Sequence, residues 1–216
     1  MSGIIYIARH GETIWNAERR IQGRQDVWLN ERGFQQRKHL FGFLKNEPLS
    51  RIYTSALRRT IHTGEPLSDE LGCPLIPMAD LNELGFGVME GVNLDSFSEE
   101  DKVLWDWWHQ DLVHRRLPGG GESREQLRDR IDGFLDAYRP PADQKAILIV
   151  GHMGTNQMLL HRLLGLELEE ALHIFQPNNC IYRLHIDGDP RVEHILIPAQ
   201  NDPPVWMQGL NSDGPP

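Results

Sequence analysis

The sequence predicts an α/β protein built around a largely parallel sheet, and three observations predict it. Two short apolar, β-branched runs, Gly3 to Ala8 and Ala146 to Val150, are the kind that strands buried on both faces require. Each run stops at a histidine flanked by glycine, His10 and His152. Segments of helical periodicity separate the apolar runs, and that alternation favours parallel pairing through crossover helices.

Each element follows in order. After the first strand, Asn30 is placed to cap a helix in which Phe34, Leu40, Phe41 and Leu44 recur, and Asn46-Glu47-Pro48 stops it. Arg51 to Thr54 reads as a second strand. Ala56 to Leu71 reads as a helix kinked or broken where Gly64 and Pro66 fall. Leu75 to Met78 suits an edge strand. Glu99 to Leu112 is expected to be helical, ending before Pro118-Gly119-Gly120-Gly121, and Ser123 caps a helix carrying Leu127, Ile131, Phe134 and Leu135. The strand Ala146 to Val150 leads through a glycine turn to an apolar helix, Met158 to Leu164. Cys180 to Ile186 and Arg191 to Ile197, joined by Gly188-Asp189-Pro190, read as a hairpin. Residues 1–200 make one domain. Residues 201–216 are a proline-rich tail expected to be mobile, unless Trp206 and Met207 dock it.

Composition narrows the function. The 216 residues are 39% hydrophobic and 25% charged, ordinary values for a globular chain, and the length suits one elaborated domain at about 150 residues per domain. With 22 Lys plus Arg against 31 Asp plus Glu, the net charge is -9. Such a surface repels nucleic acid and anionic membrane, so any anion it binds must meet a local cluster of positive charge. Cys73 and Cys180 are too few for a disulfide framework and match no metal spacing, and no stretch approaches a membrane span. The absence of an apolar leader points to a cytoplasmic protein.

In open α/β sheets ligands sit beyond the carboxyl ends of the strands, which places His10 and His152 near one rim. A neutral imidazole is a competent nucleophile toward phosphorus, and Arg9 beside His10 offers a fork of donors to a phosphoryl group. The other eight histidines fall on helices, exposed strands or loops and read as structural.

These residues carry a resemblance. Arg9-His10-Gly11-Glu12-Thr13 with Trp15-Asn16 behind it resembles the signature of the histidine phosphatase superfamily, also called phosphoglycerate mutase-like. Gln22-Gly23-Arg24-Gln25-Asp26, Leu29 to Gly33, Tyr53 to Thr60, Leu81 to Gly91, Gly121-Glu122-Ser123 and Val150-Gly151-His152 are similar to its later blocks, in order. The resemblance implies a three-layer sandwich with helices on both faces of the sheet. It implies His10 as the nucleophile, His152 as its partner, and Glu83 as general acid and base. Arg9, Arg59 and Asn16 would bind the phosphoryl group, and Gln22, Gly23 and Met153 the substrate. In the family's pattern the arginine stands four residues after the serine, which from Ser55 implies Arg59, with Arg58 as the second choice. Glu12 and Glu90 are nearby decoys.

The implied activity is a phosphatase that hydrolyses a phosphomonoester of a small metabolite through a phosphohistidine, with no metal or other cofactor. The family's bisphosphoglycerate-dependent mutases carry an insertion between the acid and the second histidine, and only 69 positions separate Glu83 from His152 here. A mutase is the first rival and a silent binding module the second. Specificity is expected from residues near 93 to 121. His114-Arg115-Arg116 is either the site for a second anionic group or a solvated loop face, and Trp105, Trp107 and Trp108 serve as core or lid packing unless they line the pocket. An edge strand or the tail could support a homodimer, though neither demands one.

Overall fold

A computed structural model describes residues 3–137, 146–186, 188, 190–197 and 207–211. Its centre is a seven-stranded sheet. Strands β1 (Ile4–Arg9), β2 (Leu49–Ser55), β3 (Leu75–Met78), β4 (Ala146–Gly151), β5 (Cys180–His185), β6 (Arg191–Leu196) and β7 (Met207–Gln208) lie in the order β3-β2-β4-β1-β5-β6-β7. The four strands from β3 to β1 are parallel, and β5, β6 and β7 continue antiparallel, so the sheet is mixed. The two most apolar strands, β1 and β4, are central neighbours.

Successive side chains of a strand face opposite ways, and here both ways lead to a core. Ile5, Ile7, Ile147 and Ile149 enter one cluster, while Tyr6, Ala8, Leu148 and Val150 enter the other. The second cluster is closed by α2 (Glu31–Leu44) and α3 (Arg58–Leu71). The first is closed by α4 (Glu99–His109), α5 (Arg124–Ala137), α6 (Met153–Leu164) and the short α7 (Leu168–Leu172). A single turn, α1 (Ile14–Ala17), follows β1 and is held by a capping box between Thr13 and Asn16. The result is the three-layer arrangement with helices on both faces.

Several boundaries differ from expectation for local reasons. Asn30 caps α2 as expected, its side chain accepting from the Gly33 amide at 2.8 Å. Helix α3 runs unbroken through Pro66. The ring removes the donor that would serve the His62 carbonyl, and Arg37 Nη1 supplies one instead at 3.0 Å. Helix α6 begins at Met153, five residues before its apolar stretch, because its first turn buries polar side chains, Thr155, Asn156 and Gln157.

Residues 207–211 of the tail dock on the body. Met207–Gln208 pairs with β6, and Asn211 is buried with its amide donating to the Phe175 carbonyl at 3.1 Å. Trp206 lies outside the described residues, as does Asp189 of the hairpin turn. Among the described residues no helix is long and apolar enough to cross a membrane.

Candidate active site

Three adjacent parallel strands, β2, β4 and β1, end at the same rim. Arg9 is in register with Gly151, so the next residues, His10 and His152, leave the sheet side by side. Their ring centroids are 5.1 Å apart and both side chains are buried. Getting the loop after β1 under α2 demands two glycines in contact. A Cβ on Gly11 would sit 2.6 Å from the Gly33 carbonyl oxygen, and one on Gly33 would sit 2.1 Å from that of Glu12.

Hydrogen bonds fix the protons on both imidazoles. His10 Nδ1 lies 2.7 Å from the Gly11 carbonyl, which can only accept, so Nδ1 carries the proton and Nε2 keeps its lone pair. His152 is set the other way. Its Nδ1 accepts from Arg59 Nε at 3.2 Å, which leaves the proton on Nε2, 2.9 Å from Ser55 Oγ at the end of β2. Ser55 Oγ also accepts from the Leu57 amide at 3.1 Å and lies 2.7 Å from Thr60 Oγ1, whose own hydroxyl donates to the Leu57 carbonyl at 2.8 Å. The chain of donors therefore runs from His152 through Ser55 and Thr60 to the backbone.

Burial, reinforced by the positive charge of Arg59 and Arg9, holds the His10 imidazole well below the usual histidine range. Burial does the same to His152, with Arg59 and then His10 and Arg9 adding to it. Both rings are neutral near pH 7. Arg59 is itself lowered to about 10 by burial, opposed by Glu83 and Asp26, and so stays charged. Its terminal nitrogens donate to the Gln25 and Gly23 carbonyls at 2.6 and 2.8 Å, tying the loop after α1 to the histidines. Arg58 faces outward, paired with Asp26 at 3.2 Å and stacked on Trp28.

In front of His10 is a cavity of about 380 Å³. Arg9, His10, Asn16, Arg59 and Glu83 line it, together with Gln22, Gly23 and Met153. His152, fully buried beside His10, is not among the residues that line it. Arg9 Nη1 donates to the Gln176 carbonyl at 2.9 Å, but its buried Nε finds no partner among the described residues, which suits an anion. The Asn16 and Gln22 side-chain carbonyls both face Thr13 Oγ1, at 3.1 and 2.9 Å, leaving their amide N–H groups as the ends available to a ligand.

Glu83 is held at the N-terminus of α6. Its carboxylate accepts from the Leu84 amide at 2.9 Å and the Gly154 amide at 3.3 Å, where the helix dipole favours negative charge. Its own carbonyl accepts from Arg24 and Arg130, which share the buried Glu122. Burial would raise the Glu122 carboxyl, but Arg130 and Arg24 outweigh it and hold it below the usual range. Glu90 and Glu12 are engaged by neighbouring donors. Glu90 accepts from the Arg24 and Phe86 amides, and Glu12 from Asn30.

Two expectations need correction. His114, Arg115 and Arg116 do not line the cavity. Their side chains fasten the connection between α4 and α5: His114 to Asp111, Arg115 to Trp107 and Gln110, Arg116 to the Gly121 carbonyl. The outer cavity instead carries Arg19 and Arg20, which reasoning on the sequence passed over. The tryptophans divide: Trp105 lines the cavity, Trp108 is core, and Trp107 is exposed. Among the described residues no group of three His, Cys, Asp or Glu side chains is close enough to hold a metal ion.

The model of the histidine phosphatase superfamily, branch 1, matches residues 5–196. The chain belongs to that superfamily. A relative from Escherichia coli that bears the name "Probable phosphoglycerate mutase GpmB" is 37% identical over 165 residues, 75% of either chain. Among solved structures, the alpha-ribazole phosphatase from Shigella flexneri superposes with a TM-score of 0.78 at 26% identity, covering 87% of this chain and 93% of that one. A mycobacterial glucosyl-3-phosphoglycerate phosphatase gives 0.72 at 25% identity, covering 85% and 90%. The superfamily thus reaches this chain under both mutase and phosphatase names.

Proposed function

We propose that the chain is a metal-independent phosphatase that hydrolyses a phosphomonoester of a small metabolite through a phosphohistidine on His10. The observation that carries this is the His10 tautomer: a neutral ring, its proton pinned on Gly11, with Nε2 left as a nucleophile at a cavity lined by Arg9, Arg59 and Glu83.

In the first step Nε2 attacks phosphorus in line, and the P–N bond forms as the bond to the leaving oxygen breaks. Glu83, protonated, gives that oxygen its proton. In the second step the Glu83 carboxylate takes a proton from water as the water oxygen attacks phosphorus, the P–N bond breaks, and neutral His10 returns with free phosphate. Arg9 and Arg59 neutralise the equatorial oxygens throughout, the role a magnesium ion has in other phosphoryl transfer. His152, neutral and fixed by Ser55, holds Arg59 in place and supports the ring of His10.

A mutase reading draws support from the 37% identical GpmB relative. The phosphatase reading draws support from two phosphatases of matching fold and from the short span between Glu83 and His152. One assay separates the two: phosphate release from 3-phosphoglycerate, run beside its conversion to 2-phosphoglycerate with bisphosphoglycerate present. Release over a panel of phosphomonoesters is expected. Rapid isomerisation with little release would establish the mutase. His10→Ala is expected to abolish either activity.

A further inference from the structure

The cavity holds more positive charge than a phosphoryl group needs. Four arginines line it, Arg9, Arg19, Arg20 and Arg59, against one glutamate, Glu83, in a protein whose net charge is -9. Arg9 and Arg59 flank His10 and answer the phosphoryl dianion. Arg19 and Arg20, with side chains 62% and 42% exposed, stand at the cavity's mouth, and the apolar and aromatic side chains of Trp15, Phe86, Leu94 and Trp105 also line it.

The backbone places Arg19 at a conformational penalty. Arg19 has φ +55°, the one left-handed non-glycine residue among those described. Glycine would adopt that conformation freely, so an arginine there points to a role for its side chain. The turn is fastened on both sides: the Arg19 amide donates to the Asn16 carbonyl at 3.1 Å, and its carbonyl accepts from the Leu94 amide at 2.9 Å. Arg19 meets Asp95 through Nε alone, at 2.8 Å, and Arg20 meets Glu18 through Nε at 2.7 Å. Arg20 Nη1 also donates to the Gly91 carbonyl. Both acidic partners are exposed and outside the cavity wall, so these are weak pairs that a ligand can share or displace.

We propose that Arg19 and Arg20 form a second anion site, and that the preferred substrate is a phosphomonoester whose leaving group has a flat apolar body ending in a further anionic group. The inference rests on the phosphatase reading of the same cavity and adds the class of leaving group. The aromatic side chains take the flat body, and the outer arginines take the distal anion in place of, or beside, their exposed carboxylates.

The test compares 2-naphthyl phosphate with 6-carboxy-2-naphthyl phosphate. The carboxylated ester is expected to show kcat/KM higher by about tenfold at low ionic strength, the scale of one charge-assisted contact. The preference should shrink at about 1 M salt, where the screening length falls to about 3 Å. It should also collapse to within about twofold in the Arg19→Gln, Arg20→Gln double variant, while the salt series on the unaltered chain needs no variant to fold. Equal kcat/KM for the two esters, or a preference that survives both salt and the double substitution, overturns the second site and leaves the phosphatase reading standing. Turnover of neither ester by a chain that releases phosphate from other phosphomonoesters overturns the leaving-group class alone; release from no phosphomonoester overturns the phosphatase reading, and the inference falls with it.

Discussion

At the scale of single residues, the chemistry turns on which nitrogen of each imidazole carries the proton. His152 presents a lone pair to Arg59 and a proton to Ser55, so losing the serine hydroxyl leaves a buried N–H without its acceptor. Ser55→Ala is expected to lower kcat about tenfold with KM less affected. Long-range proton–nitrogen NMR should show His152 losing its single tautomer, and Ser55→Thr should restore part of both. An unchanged tautomer and rate would reduce Ser55 to a packing residue. The sequence offered Ser55 only as a landmark for counting to Arg59. Its partnership with His152 depends on β2 lying next to β4, a pairing between residues 97 positions apart that no local pattern records.

At the scale of elements, the start of α6 joins helix geometry to the acid–base chemistry proposed for Glu83. Gly154 lets Glu83 approach the first turn, since a Cβ there would sit 2.7 Å from Glu83 Oε1. Alanine is the better helix former by about 1 kcal/mol. Gly154→Ala is therefore expected to hold or raise the melting temperature while lowering turnover about tenfold by displacing the carboxylate. A variant that loses stability and keeps its rate would contradict this placement of Glu83. Strands β1 and β4, α2 and its cap, and the β5–β6 hairpin were legible because apolar runs and cap residues are local signals. The first turn of α6 was not, because Thr155 and Asn156 are polar for the sake of partners elsewhere, the Asn82 and Ala8 carbonyls. The unbroken α3 was hidden for the same reason: Arg37, on another helix, answers the carbonyl that Pro66 leaves.

At the scale of the whole molecule, folding drives two histidines into a buried, arginine-rich rim where the charged ring is disfavoured. A folded value below the unfolded one, about 6.5, means the unfolded chain binds more protons as the medium is acidified. Stability is then fully present above about pH 6.5 and is lost as pH falls from there toward the folded values. Each histidine contributes up to about 1.4 kcal/mol of loss per pH unit in that window. Urea unfolding at pH 7.5 and 5.5 is expected to show this fall, and the His10→Gln, His152→Gln double variant should flatten it. An equally steep fall in the double variant would assign it to other groups. The global charge of -9 called for a local cationic cluster, and Arg9 and Arg59 entered it through the family resemblance. Arg19 and Arg20 were not, because nothing in their spacing shows that the turn at residue 19 brings them to the cavity that holds His10.

All three scales meet in the claim that His10 becomes covalently bonded to phosphorus. The direct measurement is to quench the protein during turnover of a 32P-labelled phosphomonoester and map the label by peptide analysis. The account predicts an acid-labile, base-stable label on the peptide containing His10, absent in His10→Ala and accumulating when Glu83→Gln slows its hydrolysis. Turnover of the ester with no label on His10, or with the label on another residue, would contradict it.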